Sequence, residues 1–130
     1  MFPHTITIFN IVKDENNVIT YNRKIVSYVF YYKEKIISKE GNGDKYTTAY
    51  NVIFSNMALK DYLDYDKYKN IEDKSKKFTL KENDIIVFGE CEQITDLKDL
   101  QKSYKDYFLI RSIGDNRYGS DKLQNIEVTN

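Results

Sequence analysis

The sequence predicts a small all-β protein: a partly open β-barrel with one protruding hairpin, a long loop and a short helix. Three observations lead to this fold class. Short stretches of β-branched and aromatic residues recur along the chain, and clusters of Asn, Asp and Gly separate them, which is the pattern of strands joined by turns. The length of 130 residues fills one core and not two. We therefore expect residues 1–130 to form a single domain.

The N-terminal half predicts three strands. Residues 4–12 alternate between two faces, and the Asn- and Asp-rich segment 13–17 predicts a turn after them. Residues 25–33 are apolar on both faces, which favours a central strand or one covered by a partner. Residues 46–55 alternate so that the large side chains share one face.

Two connections between strands stand out in length and composition. Around Gly41 and Gly43 the glycines allow positive φ, so residues 34–46 are predicted to form a protruding hairpin or a mobile loop. Residues 56–77 are rich in Asp, Lys and Tyr and predict at best one short helical turn. A connection of that length in a compact domain is often functional, so it is a candidate contact arm.

The C-terminal half predicts a turn at residues 81–84, a buried strand at 85–89 and a helix that Thr95 or Asp96 caps and that ends near Tyr104. Residues 107–113 and 123–128 read as two further strands joined by a hairpin at 114–119. The total is five or six strands.

Charge and composition exclude several classes of protein. Lys plus Arg and Asp plus Glu both number 20, so the net charge is zero and nonspecific attraction to a phosphate backbone is disfavoured. The longest apolar run is far shorter than the roughly 20 residues of a membrane span, and the start of the chain does not resemble a secretion signal. A single cysteine, Cys91, allows no intrachain disulfide, in agreement with the reducing cytoplasm in which we expect the protein to be made.

Residues able to support catalysis are few. His4 is the one histidine, so a His-rich metal site is impossible, and a surface or interface position is expected for it. Cys91 has no neighbouring histidine to activate it and is interpreted as a small, half-buried apolar residue. Acidic residues cluster at 72–73 and 90–92, where a solvated charged loop is favoured over a carboxylate pair for glycoside chemistry or a divalent ion. We predict no enzyme activity, no metal and no cofactor.

Three tyrosines in the long connection, Tyr62, Tyr65 and Tyr68, alternate with lysines and could stack nucleic-acid bases. Aspartates in the same segment cancel the lysine charge. Tyrosine is also favoured at protein interfaces, and that interpretation suits the neutral balance better.

Three segments carry a resemblance to a known family. Residues 112–120 with 124–128 resemble the ending of small prophage minor capsid proteins, in which an aspartate and an arginine precede an aromatic-Gly-Ser and a strand ends in Glu-Val. Residues 2–10 look like the start of that family, and residues 80–89 look like its central turn and strand. The chain departs from the pattern at Asn125 and Ile126, where a His-Trp pair is expected, and residues 33–77 have no recognisable counterpart.

The resemblance implies a structural component of the virion neck of a tailed bacteriophage, similar to head-closure or stopper proteins. Such a protein forms a homo-oligomeric ring, a hexamer or a dodecamer, between the portal and adaptor above and the tail terminator below. The encapsidated DNA passes through the ring or is retained at it. A tail-terminator or tail-completion subunit is the nearest alternative. An OB-like single-stranded nucleic-acid binder is the alternative from another class.

Within that role the sequence suggests three groups of site residues. The tyrosines of the long connection are the expected docking arm, and Asp115, Arg117, Tyr118 and Gly119 are expected to fix a turn rather than to contact DNA. The channel-facing or neighbour-reaching loop is expected to comprise Lys35, Ser38, Lys39, Glu40, Gly41, Asn42, Gly43, Asp44 and Lys45.

Overall fold

The computed structural model describes residues 2–41, 43–102, 106–118 and 124–130. They form one antiparallel sheet of seven strands in the order β5-β4-β1-β2-β3-β7-β6. A 3₁₀ helix (Ala58–Asp61) and two one-turn helices, α1 (Tyr65–Tyr68) and α2 (Lys98–Gln101), lie in the connections. The strands are β1 (His4–Lys13), β2 (Ile19–Glu40), β3 (Gly43–Ser55), β4 (Ile85–Phe88), β5 (Tyr107–Leu109), β6 (Ser112–Asp115) and β7 (Asn125–Thr129). The all-β prediction is confirmed.

The sheet is open but strongly curled. Its two edge strands, β5 and β6, follow each other in the chain with only Ile110 and Arg111 between them. Three peptide units span at most about 11 Å, so the two edges must lie close together. The amide of Ile110 donates to the carbonyl of Asp84 at 2.9 Å, and the amide of Arg111 donates to the carbonyl of Thr129 at 2.8 Å. These two residues therefore cross the gap between opposite ends of the sheet.

The main core lies inside this curl. Every second residue of the strands points inward, and these side chains pack with Phe78 and Leu80 from the long connection. A chain of aromatic contacts extends this core towards one end of the sheet, where Phe88 packs against Tyr31 and Phe108. The fully buried inward residues include Ile6, Ile8, Val29, Val52, Phe54, Ile86, Ile110 and Val128.

A smaller core lies on the outer side of β1, β4 and β5. Phe9 and Val87 point outward there and are covered by Cys91, Ile94 and Leu100 from residues 89–102. The buried Thr7 hydroxyl fixes this cover, since it donates to the Gly89 carbonyl at 2.9 Å and accepts from the Cys91 amide at 2.8 Å. Cys91, interpreted from the sequence as a small, half-buried apolar residue, is buried in this core.

Several local predictions differ from the structure. The single strand predicted at 107–113 is wrong, because Ile110 and Arg111 leave the ladder to cross between the sheet edges, and the strand count is seven. The predicted helix is shorter than expected, and its N-cap position is Leu97. Asp96 accepts from the Lys98 amide at 3.0 Å, whereas Thr95 donates to Asp99 instead of capping. Tyr104 lies outside the described residues.

Candidate functional site

The most prominent surface feature is a two-stranded ribbon that extends beyond the body of the sheet. Strands β2 and β3 stay paired from Val29 opposite Phe54 to Glu40 opposite Gly43. All described side chains from Lys33 to Thr48 are exposed. From Lys33 to Glu40 the ribbon contains eight cross-strand pairs. The seven steps between them, at a rise of about 3.3 Å per residue, give it a length of about 23 Å. Of the two forms that the sequence allowed, a protruding hairpin and a mobile loop, the structure has the hairpin.

One face of the ribbon carries an exposed apolar pair. Ile37 and Tyr46 lie directly opposite each other in the register, with 60% and 65% of their surfaces exposed. Lys35 and Lys39 flank Ile37 on the same face, because alternate residues of a strand share a face. Asp44 lies opposite Lys39. Directly opposed residues on one face of an antiparallel pair are close enough to act as one patch.

The predicted loop residues fall on both faces and at the tip. Lys35, Lys39 and Asp44 share the face of the apolar pair, whereas Ser38 and Lys45 oppose each other on the other face. Gly41 adopts φ +61 at the turn, where glycine is favoured. Asn42 lies outside the described residues, and Glu40 is placed only as the last residue of β2. Sequence reasoning missed Ile37 and Tyr46, although the alternation of Ile37 with Lys35 and Lys39 was a signal that could have identified the first of them.

The base of the ribbon is fixed to the body by one ion pair. The Lys33 ammonium lies 2.5 Å from the Asp106 carboxylate, and this contact raises the pKa of Lys33. The Lys33 ammonium also lies 5.9 Å from the centre of the Tyr50 ring. Exposed ion pairs contribute little to stability, so this contact mainly orients the ribbon.

Aromatic stacking adds rigidity at the same place. The His4 ring stacks on Tyr31 with centroids 4.1 Å apart, and Tyr31 stacks on Phe88, also at 4.1 Å. His4 Nδ1 accepts a hydrogen bond from the Tyr31 amide at 3.1 Å. His4 therefore has a structural role in this stack.

The three tyrosines of the long connection have different environments. Tyr68 is only 1% exposed, its hydroxyl accepts from Asn22 at 2.8 Å, and burial raises its pKa to about 12. Tyr62 is partly buried against Phe78 and donates to Asp64 at 3.2 Å. Tyr65 is 47% exposed. Tyr68 is therefore a core residue and offers no docking surface, because its ring anchors the connection to β2. Among the three tyrosines, the structure leaves Tyr65 as the side chain most available to a partner.

The C-terminal turn residues form a compact ionic cluster with the same connection. Arg117 donates to both carboxylate oxygens of Asp115, at 2.8 and 2.6 Å, and to Asp64 at 2.8 Å. Its guanidinium carbon lies 5.0 Å from the centre of the Tyr62 ring. Tyr118 is exposed, and Gly119 lies outside the described residues. Arg117 thus holds the turn against the connection, a contact that the sequence pattern did not predict.

Within the described residues, no group of three or more His, Cys, Asp or Glu side chains could hold a metal ion. None of the helices in that part of the chain is long and apolar enough to cross a membrane. The candidate functional site consists of three surfaces: the ribbon, the exposed part of the long connection and the C-terminal turn.

Comparison with known proteins places the chain in a family without assigning it an activity. No curated protein and no solved structure matches the sequence. One family model matches residues 1–130, the whole of the chain. The chain belongs to the family of unknown function DUF6751.

Proposed function

We propose that this chain is a structural subunit of the head-to-tail connector of a tailed bacteriophage or prophage. Its role is that of the head-closure or stopper ring between the portal-adaptor and the tail, and it acts without a catalytic step or a cofactor. Copies of the chain assemble into a closed ring of six or twelve subunits through repeated heterologous contacts. The location follows from that role: the host cytoplasm during assembly and the virion neck afterwards.

The observation that carries the proposal is the ribbon with its exposed apolar pair. Ile37 and Tyr46 present exposed apolar surface on an element that extends beyond the body of the sheet. Burying such a patch against a neighbouring chain is favourable. Tyrosine and isoleucine at the centre of a contact, with lysines at its edge, match the usual division into an apolar centre and a polar rim.

The ribbon is also ordered enough to act as a docking element. The Lys33–Asp106 ion pair and the stack of His4, Tyr31 and Phe88 fix its base. A pre-formed ribbon loses less conformational entropy on binding than a mobile loop does. This supports a neighbour-reaching role better than a role as an unstructured channel gate.

The exposed Tyr65 supplies a second contact in the proposal. It lies on the long connection, which is anchored to the body by Tyr68 and Asn22. We assign it to docking with the adaptor or the tail terminator. A tail-terminator subunit, one ring lower in the neck, would use the same surfaces, so it remains the alternative within this class.

The test is the assembly state of the purified protein and of a matched pair of variants. Ile37→Ser with Tyr46→Ser removes the apolar pair, and Ser38→Ala with Thr47→Ser changes the other face of the same ribbon. Light scattering after size-exclusion chromatography and negative-stain images should show rings for the wild type and the control, and monomers for the first variant. All four residues are exposed, so circular dichroism should show an unchanged fold. Rings that survive loss of the apolar pair would overturn the assignment of the ribbon.

A second test addresses the neck itself. Deletion of residues 41–44 should leave a folded subunit that fails in head-to-tail assembly, visible as heads without tails. Normal infectious particles from that deletion would refute the neck role of the hairpin.

A different function is favoured by a different observation on the same ribbon. Lysines alternate with Ile37 on the face that also carries Tyr46, and ammonium groups beside an aromatic ring are typical of single-strand nucleic-acid binding. Asp44 and Asp106 oppose two of those lysines, so we rank this function second. Fluorescence titration of a labelled oligonucleotide distinguishes the two, because nucleic-acid binding must weaken steeply with salt.

A further inference from the structure

A cleft lies between the end of the β1–β2 hairpin and the segment around α1, away from the ribbon. It has a volume of about 500 Å³, which lies within the range of small-molecule sites. Its apolar lining comes from Ile11, Val12 and Ile19 on the strands. Tyr65 and Tyr68 of α1 line it as an aromatic wall, of which Tyr65 is the exposed part.

The charged residues that line this cleft are all lysines: Lys13, Lys69 and Lys74. Two of them are ordered by the aromatic wall. The Lys69 ammonium lies 5.8 Å from the Tyr65 ring centre, and the Lys74 ammonium lies 5.5 Å from the Tyr68 ring centre. Contacts of this kind orient a cation without neutralising it.

Acidic residues nearby compensate this charge only weakly. Asp66 lies 3.7 Å from the Lys69 ammonium, but its side chain is 91% exposed, and exposed pairs of this kind contribute little. Asp14 follows Lys13 in the chain, and its carboxylate accepts from the Asn16 and Val18 amides, which fixes the turn. The Lys74 ammonium donates to the Ile71 carbonyl at 2.7 Å, which is a neutral group. The cleft therefore has a net positive lining.

The aromatic wall is built on a rigid base. Tyr68 is buried, and its hydroxyl is held by Asn22, which also donates to the Lys74 carbonyl at 2.8 Å. Ile19 and Tyr65 leave about half of their surfaces exposed at the opening, at 47% each. An exposed apolar opening with a cationic lining suits a ligand that has a flat apolar body and an anionic group.

We propose that this cleft binds a small organic anion with an aromatic or similarly flat body, such as an aryl phosphate. The body lies between Ile19 and Tyr65, and the anionic group is bound by the ammonium groups of Lys13 and Lys69, with Lys74 fixed beside them. This site uses none of the residues of the ring contact proposed for the ribbon, and it shares Tyr65 with the docking contact proposed for the adaptor or the tail terminator.

The test is a titration of the full chain with phenyl phosphate, followed by two-dimensional amide NMR and by calorimetry at low salt. Lys13→Gln with Lys69→Gln should weaken binding at least about tenfold, since each contact to a charged group is lost. Lys39→Gln with Lys45→Gln is the matched control, because it removes the same charge from the ribbon and should leave the affinity within about twofold. All four lysines are exposed, so the variants should fold.

Two further ligands separate the contributions of the body and the charge. Phenol and inorganic phosphate should each bind at least about tenfold more weakly than phenyl phosphate. Phenol lacks the anionic group that the lysines bind, and inorganic phosphate lacks the flat apolar body. Saturable shifts confined to residues 11–19 and 65–74 would support the site. Equal loss in both double variants, inorganic phosphate binding as tightly as phenyl phosphate, or no saturation with phenyl phosphate would each overturn it.

Discussion

Arg117 joins the C-terminal turn to the long connection through Asp64, with 2.8 Å between the guanidinium Nη2 and the carboxylate Oδ1. The two residues are 53 positions apart in sequence. The same guanidinium binds Asp115 through two nitrogens and lies against the Tyr62 ring. The planar fork of arginine can satisfy two carboxylates at once, which a lysine ammonium cannot do in this geometry.

Replacing Arg117 by lysine should therefore lower the free energy of unfolding by about 0.5–1 kcal/mol, because the guanidinium side chain is partly exposed and solvent screens the pair. Urea denaturation measures this change. Arg111→Lys is the control, since the Arg111 side chain donates an exposed hydrogen bond to Asn83, and this change should alter stability by less than about 0.5 kcal/mol. A double-mutant cycle with Asp64→Asn should give a coupling energy that falls in about 1 M salt. A coupling energy of zero at low salt would show that Arg117 and Asp64 do not stabilise the fold through their ion pair.

The same cluster predicts a contribution to acid stability. The hydrogen bonds from Arg117 lower the pKa of Asp115 from its ordinary value of 3.8. A lowered folded pKa means that the unfolded chain takes up the proton first as the pH falls, so this stabilisation is complete above pH 3.8 and is lost as the pH falls through the folded pKa.

Arg117→Gln should therefore flatten the dependence of unfolding free energy on pH below 3.8, relative to the wild type. Urea midpoints measured at intervals between about pH 5 and pH 2 provide the curve. Arg111→Lys should keep the wild-type slope. Parallel curves for the wild type and Arg117→Gln would show that Asp115 gains nothing from its partner.

Local patterns predicted most of the strands, but not the point at which the chain crosses between the two sheet edges. The alternation in residues 4–12 and 46–55 identified β1 and the inner part of β3, because a half-buried strand repeats every two residues. The break at Ile110 and Arg111 was not predicted, since Leu109 and Ile113 lie on the same side of a strand drawn through both positions. Only the approach of the two sheet edges removes Ile110 and Arg111 from the ladder.

Site residues were predicted least well where burial decides their role. Tyr62, Tyr65 and Tyr68 look alike in sequence, yet Tyr68 is buried by contacts with Asn22 from a strand 46 residues away. The burial of charged residues was equally hard to predict. Asp84 is fully buried, but the residues next to it in sequence do not indicate this, because its partners on β1 are more than 70 residues away.

Asp84 is the centre of a buried polar network at one end of the curled sheet. Its carboxylate accepts from Asn10 Nδ2 at 2.7 Å, from the Ile11 amide at 3.0 Å and from the Lys81 ammonium. Asn10 also donates to the Thr79 carbonyl and accepts from the Thr79 amide. Burial raises the pKa of Asp84, and the Lys81 charge and the other donors offset part of that effect.

Asp84→Asn should lower the free energy of unfolding by about 2 kcal/mol or more, because the new amide must turn its own donor towards Asn10 or towards Ile11 and Lys81, which are all donors. Urea denaturation at neutral pH is the measurement. Asp66→Asn is the matched control, since that side chain is 91% exposed, and it should change stability by less than about 0.5 kcal/mol. Equal effects at the two sites would mean that the network is not satisfied as described.

Tyr28 carries backbone strain in the middle of β2. Its φ is +62, whereas the other described non-glycine residues with positive φ are both asparagines, Asn17 and Asn83. The residue lies at a register shift, since Ser27 pairs with Thr5 and Val29 pairs with His4. Its carbonyl accepts from the Ser55 hydroxyl at 2.6 Å, and that hydroxyl also accepts from the Ala58 amide at 3.3 Å. The bulge thus fixes the start of the 3₁₀ helix.

Tyr28→Gly should be more stable than Tyr28→Ala by about 1 kcal/mol, because both variants remove the same ring and only alanine keeps a Cβ in the left-handed region. The order should be reversed at Ser27, outside that region, where Ser27→Ala should be more stable than Ser27→Gly by about 0.5–1 kcal/mol. Thermal and urea unfolding of the four variants measure both differences. The same order at both positions would show that the bulge does not impose the strain. The expected reversal would show that the backbone at this position disfavours tyrosine. The exposed tyrosine ring, and not the backbone, would then account for tyrosine at this position.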